Sequence, residues 1–354
     1  MADHPPLVMT VTGPLPAADL GLTLSHEHLM LDGDCFFELA AEPALAALVD
    51  VPLSPENAPQ LRLASCSNRD NLVLGEPELA LAEIAEFTAL GGRSIVDLTP
   101  SVGLGRDPAG LRGLSLASGV PIVMGCGFYC EYSHPDWIAE ATIGDLEERI
   151  VDEFVGGVDG VRPGIIGEIG INGEARGTLE LVGEMTPDEE KTLRAAVRAS
   201  HRTGAAVCIH QPNRPAAVPA ILDVLEQEEA DPARTILAHM SSVRDFAMHE
   251  LALDHGYWIA YDNFGMAGLA NARYRSLSDE QRADWVADVV RRGAIGQLLI
   301  SHDVWCKLQL RRYGGGGYGH ILRDVLPLLR ERGLGQDDID QLLIANPATV
   351  LPLR

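Results

Sequence analysis

Eight short apolar runs, each followed by a segment of helical character, constrain most strongly what this chain can fold into. They are LTLSHEH (22–28), SIVDLTP (94–100), PIVMGCG (121–127), GIIGEIG (164–170), AVCIHQP (206–212), TILAHMS (235–241), WIAYDNF (258–264) and LLISHDV (298–304). Most are rich in Val, Ile or Leu without clean alternation, as expected of strands buried on both faces of a parallel sheet. Between them lie PELALAEIAEFTALG (77–91), DEEKTLRAAVRASHRTG (188–204) and DEQRADWVADVVRRG (279–293), each ending at the glycine favoured just past a helix. Strand–helix alternation repeated eight times predicts an α/β fold, a (β/α)8 TIM barrel. A doubly wound sheet would want a G-x-G-x-x-G turn after an early strand, and none occurs there. VMTVTGPLPAAD (8–19) reads as a short N-terminal β-hairpin. With 354 residues, 46% of them apolar, residues 1–354 read as one barrel domain with a large core.

The bulk composition narrows the partners. The formal net charge is −24, and no basic run exceeds a pair such as Arg291-Arg292 or Arg311-Arg312. Neither nucleic acid nor an anionic membrane surface is an expected partner. No segment approaches the roughly 20 apolar residues of a membrane span. The start, MADHPPLVMTVTGPLP, lacks a charged region followed by an apolar one. Six scattered cysteines (Cys35, Cys66, Cys126, Cys130, Cys208, Cys306) read as reduced structural thiols, and a cytoplasmic location is expected. Cys126 and Cys130 are four apart, but no second pair completes a zinc-finger spacing.

The ends of the runs carry the chemistry. They finish with His26 and His28, Asp97, Glu168, His210, His239, Asp262 and Asp303. In a barrel the C-terminal strand ends meet at one mouth, where active sites lie. Any one of these residues can cap a helix or satisfy a local hydrogen bond. Five of eight strands ending in good metal ligands point instead to a metal centre. Residues two apart on a strand share a face, so His26 and His28 can both reach one ion. Residues 32–76 form a long excursion after the first strand, a candidate substrate loop. Gly314–Gly317 follow the last strand as a mobile or tightly turning loop, without the spacing of a phosphate loop.

The chain resembles the phosphotriesterase-like family of metal-dependent hydrolases, within the amidohydrolase superfamily. The likeness runs from MTVTGPLP and TLSHEHL through GFYCEYSHP, GIIGEIG, IHQP, LAHMS and SHDV to YGGGGYGHIL and NPATVL. It implies two divalent metal ions, about 3.5–4 Å apart as two-metal hydrolytic sites are. His26, His28 and Asp303 would hold the first, and His210 and His239 the second. Many members bridge the pair with a carboxylated lysine. Here Glu168 occupies the matching segment, as in glutamate-bridged branches, so activity should not depend on bicarbonate. Lys307 lies after the last strand and is no substitute. The family habit also implies a homodimer. Zn2+ suits a His and carboxylate set, as Mn2+, Co2+ or Fe2+ can.

Such a site would lower the pKa of a bridging water, whose hydroxide attacks a carbonyl or phosphoryl centre of a small molecule. Asp303 is the expected catalytic proton acceptor. Asp97 or Asp262 would orient the ligand histidines, with helix capping as the plain alternative, favoured for Asp97. Tyr129, Asp262, Lys307 and Arg311 are expected substrate contacts. A lactone, ester or N-acyl amide fits better than a phosphotriester as the main substrate. A phosphotriesterase, a barrel that binds a small ligand without turnover, and a mononuclear deaminase are the alternatives. The carboxylate in GIIGEIG and the absence of H-x-x-E after the fifth strand speak against the deaminase.

Overall fold

The computed structural model describes residues 5–270 and 276–354. All eight runs form parallel strands. Thr23–Glu27, Ser94–Asp97 and Ile122–Met124 pair in chain order as one arc. Ile166–Gly170, Val207–His210, Thr235–Leu237, Trp258–Tyr261 and Leu298–Ile300 pair in chain order as a second. Hydrogen bonds cross both seams. Gly167 N donates to Cys126 O at 2.6 Å and Gly164 N to Met124 O at 2.9 Å, joining third strand to fourth. Asp303 N donates to His26 O at 3.1 Å and His26 N to Ser301 Oγ at 3.0 Å, joining eighth to first. This is the (β/α)8 barrel.

Glycines of PIVMGCG and GIIGEIG explain how tightly the third and fourth strands are drawn together. A Cβ on Gly170 would sit 2.2 Å from Cys130 N, and one on Gly125 would sit 2.2 Å from Gly167 O. Only a residue without a side chain lets these backbones approach so closely.

Two cores account for the missing alternation. Val96, Val123, Ala206, Cys208, Ile236, Ala260 and Leu299 pack together inside the barrel. Their neighbours Ile95, Ile122, Ile209, Leu237, Ile259 and Leu298 pack outward on helix residues such as Leu111, Ile221 and Val286. With both faces of each strand buried, alternate positions are equally apolar. The hairpin, Leu7–Thr10 against Gly13–Pro16, contributes Val8 to the inner core and closes its N-terminal end with Leu20 and Leu351.

The helices form the outer layer. Pro77–Ala89, Pro187–Thr203 and Asp279–Arg291 coincide closely with the sequence expectation. Thr186 with Glu189 and Ser278 with Gln281 make reciprocal capping boxes, satisfying amides that the first turn leaves bare. Gly204 ends the second of these helices in the left-handed region, φ 69°.

Beyond two of the strand ends the backbone turns left-handed: at His239 (φ 57°), after the sixth strand ends at Leu237, and at Asp303 (φ 53°), after the eighth ends at Ile300. Such positions are uncommon outside glycine and cluster where side chains must be aimed. Residues 32–76 rise on the same side. Leu31–Asp32 pairs with Val73–Leu74 at their base, and short helical turns lie between.

The packing yields a stability expectation. Ile259 is fully buried in the middle of the seventh strand. Ile259→Ala should lower unfolding free energy by about 2–5 kcal/mol through lost contacts and a residual cavity, read from the urea midpoint at constant slope.

Candidate metal centre

The arrangement of the mouth begins with Glu168, in the middle of the fourth strand and 2% exposed. Its Oε1 lies 2.8 Å from His210 Nδ1, 2.7 Å from His239 Nε2 and 3.6 Å from His26 Nε2. Its Oε2 is 3.9 Å from His28 Nε2. One carboxylate thus stands between two pairs of imidazoles. Asp303 Oδ1 is 3.3 Å from His28 Nε2 and 3.7 Å from His26 Nε2, on the side of the first pair. The structure therefore brings His26, His28, Glu168, His210, His239 and Asp303 together.

Their donor atoms fit metal. His26, His28 and Glu168 form one group with mutual separations within 4.8 Å; Glu168, His210 and His239 form another that shares the glutamate. Nitrogen and carboxylate ligands at about 2.0–2.2 Å from one ion must stand at comparable mutual distances. His26 Nε2 gives the sharper test. It is buried and has no hydrogen-bond partner among the described residues, while its Nδ1 donates to Asp262 Oδ2 at 2.7 Å. A buried ring nitrogen without a hydrogen-bond partner, beside two carboxylates, is a position that a cation would use.

Asp262 works behind the candidate ligand histidines, which corrects its expected role as a substrate contact. It is fully buried, and beside His26 it accepts from His239 N at 2.9 Å and pairs with His239 Nδ1 at 3.0 Å. Asp97 neither caps a helix nor reaches a ligand. It accepts from Leu29 N at 2.6 Å and Thr99 N at 3.0 Å, while Asp107 caps the following helix. Thr99 Oγ1 bonds His28 Nδ1 at 2.9 Å, a partner that nothing in the run SIVDLTP singled out.

Glu27, between the two histidines of the first strand, was also missed. It faces away from them and accepts from Ser301 Oγ (2.8 Å), His302 N (3.0 Å), His302 Nδ1 (2.6 Å) and Val304 N (3.0 Å). Burial pushes its carboxyl upward in pKa, but His302 and these donors hold it below the usual value. It thereby fixes the segment that carries Asp303. A charged residue inside an apolar strand, unable to be buried unpaired, was the available signal.

Lys307 and Arg311, expected at the substrate, are elsewhere. Lys307 Nζ is buried against Asp70 (2.7 Å) and Glu76 (2.5 Å), tying the last loop to the 32–76 excursion. Arg311 is half exposed, 3.4 Å from Glu86. Gly314–Gly317 form a packed turn: a Cβ on Gly315 would lie 2.0 Å from Gln309 O, so the tightly turning reading holds and no cradle faces the site. Tyr129 does line the cavity above the cluster, with its hydroxyl 3.4 Å from His210 Nδ1. That cavity holds about 400 Å3, with Phe36, Leu104, Met266 and Trp305 among its apolar walls.

The cluster is electrostatically unusual. Burial alone would strip the proton from His26, but Glu168, Asp262 and Asp303 outweigh it and lift its pKa to about 9. His239 is raised the same way, by Asp262 and Glu168 against burial. Burial would raise Glu168 and Asp262, yet the histidines hold both well below the carboxylate range. Protons here occupy positions that cations can take over. A raised histidine pKa stabilises the fold fully below its unfolded value near 6.5, and the contribution is lost as pH rises through the folded value. Chelated protein should therefore lose thermal stability between about pH 6.5 and 9, and metal-loaded protein should not; scanning calorimetry on both forms checks this.

The comparisons with known proteins agree with this geometry. The Phosphotriesterase family profile matches residues 6–351. A phosphotriesterase-related protein of Nematostella vectensis is 34% identical, over 98% of this chain and 99% of the other. An N-acetyltaurine hydrolase of Xenopus tropicalis is 33% identical, over 98% of each. The crystal structure of a resiniferatoxin-binding protein from Rhodobacter sphaeroides superposes with a TM-score of 0.91 at 37% identity, covering 98% of this chain and 95% of that one. Fold, strand-end donors and sequence lead to one conclusion: this chain belongs to the phosphotriesterase family of metal-dependent hydrolases.

Proposed function

We propose that the chain hydrolyses the carbonyl group of a small N-acyl amide, in a centre that holds two divalent cations with Glu168 between them. The observation that carries this reading is the shared carboxylate: Glu168 Oε1 faces His210, His239 and His26 while Oε2 faces His28, so one side chain reaches members of both histidine pairs. His26, His28 and Asp303 would hold one ion, and His210 and His239 the other. Zinc matches such nitrogen and oxygen donors. A bound cation pair supplies the Lewis acidity that makes water a nucleophile near neutral pH. Relatives called N-acetyltaurine hydrolase, 98% covered, favour the amide over lactone or phosphotriester. The complete donor set favours turnover over binding alone.

The residues then divide the work. Asp303 faces the cavity and is steadied by Asn263 Nδ2 at 3.2 Å. It accepts the proton of the attacking water at a carboxylate oxygen and returns it to the leaving nitrogen. Asp262 and Thr99 fix the imidazole orientations from behind. Burial keeps the Tyr129 phenol protonated, far above its ordinary pKa, so it donates to a polar atom of the substrate. Phe36, Leu104, Met266 and Trp305 keep the reacting carbonyl from bulk water.

Metal content tests the reading first. Wild type purified without chelators should contain about two ions per chain, and Glu168→Ala one or none. One ion in both proteins would sink the shared-carboxylate mechanism. Asp303→Asn should lower kcat by about 10^2–10^4, the usual weight of a positioned acid–base group, with a smaller change in KM. A panel of N-acyl amines, lactones, esters and phosphotriesters identifies the acyl class. Exhaustive removal of carbon dioxide should leave activity intact.

A further inference from the structure

The segment Gln211–Arg214, directly after His210, lines the cavity at every residue. Two features of it are unexplained by metal binding. Gln211 is 2% exposed, yet one side of its amide rests on Met240 Sδ and the other, Oε1, has no partner. Whichever way the amide is turned, one buried polar atom of this cavity-lining residue is left without a hydrogen bond.

Arg214 is the second feature. Among the described residues lining the cavity it is the one Lys or Arg. Its Nε binds Glu184 Oε2 at 3.1 Å, and its Nη2 donates to Asn172 O at 2.9 Å, with Gly183 O and Glu184 O at 3.4 Å. Two edges of the guanidinium are thereby fixed, and Nη1 takes no partner among the described residues. Anchoring the 172–184 loop accounts for Nε and Nη2. It leaves Nη1 without a partner among the described residues, on a guanidinium already held in place and belonging to a residue that lines the cavity. Glu38 and Glu174 line the same cavity, so no general positive field gathers anions there. An anionic group would have to be met locally, by hydrogen bonding at Arg214.

We propose that Gln211 and Arg214 form the subsite for the amine half of the substrate: Gln211 meets the amide, and Arg214 binds a terminal carboxylate or sulfonate. This rests on the N-acyl reading above and adds to it a selection for acid-bearing amines. Four residues span at most about 14 Å, so the subsite stays within reach of a short molecule whose carbonyl lies at the metal-facing His210.

The test compares metal-loaded wild type, Arg214→Gln and Arg214→Lys. Substrates are N-acetyltaurine, N-acetyl-β-alanine and the neutral N-acetylpropylamine. Calorimetry measures binding of N-methanesulfonyltaurine, which cannot be hydrolysed at an acyl carbon. Arg214→Gln should lower the charged-over-neutral ratio of kcat/KM by about ten- to a hundredfold, chiefly through KM, as loss of a charged hydrogen bond does. The calorimetric affinity should fall by a similar factor, and Arg214→Lys should recover part of both. Sulfonate and carboxylate arms show which acid is preferred. Equal losses on charged and neutral substrates, with Lys no better than Gln, overturn the subsite and leave Arg214 as a loop anchor. If no amide is cleaved while other acyl compounds are, the amide reading fails separately. The binding arm then decides: unchanged probe affinity in Arg214→Gln overturns the inference, and a tenfold loss upholds it.

Discussion

A single buried carboxylate organises the mouth of this barrel. Glu168 lies within 2.7–3.9 Å of nitrogen atoms from four histidines on three different strands or their ends. An ionised carboxyl in so dry a place is tolerated only with opposite charge beside it. Protons on the imidazoles can supply that charge, and divalent cations can supply it better. Everything else near the mouth holds these groups in that geometry.

The holding is done from behind and from beside. Asp262 ties His26 to His239, so one carboxylate holds a member of each histidine pair. Glu27 does for the eighth strand what Asp262 does for the sixth: it grips residues 301–304 and presents Asp303 from a left-handed backbone position. Such strain persists only where the surroundings over-determine it, and it clusters where side chains must be aimed. Along the first strand the division of labour follows from the pleat. His26 faces the ligand cluster, while Glu27 turns to the neighbouring strand end.

The cavity above is shaped by segments of a different kind. The 32–76 excursion brings Phe36 and Cys66 to the wall, and Lys307 locks it to the last loop through Asp70 and Glu76. A lysine paired with two carboxylates in this way is structural, despite lying four residues from Asp303 at the cluster. The segment after the fifth strand has the opposite character: Gln211 and Arg214 keep hydrogen-bonding capacity that the fold does not use.

The run of eight apolar segments, each ending at a His, Asp or Glu or followed by a capped helix, by itself pointed to the barrel and to Glu168 with the five candidate donors around it. Burial on both strand faces leaves a strong apolar signature, and side chains at C-terminal strand ends must converge in a closed parallel barrel. Partners separated by long stretches of chain were decided only by the tertiary structure. Nothing local in SHDV or HEH shows that Glu27 bonds His302, in SIVDLTP that Thr99 rather than Asp97 bonds His28, or in WCKLQL that Lys307 faces Asp70. Those pairings depend on which loop crosses which strand end. That is set by packing across the whole barrel, and no periodicity within one segment encodes it.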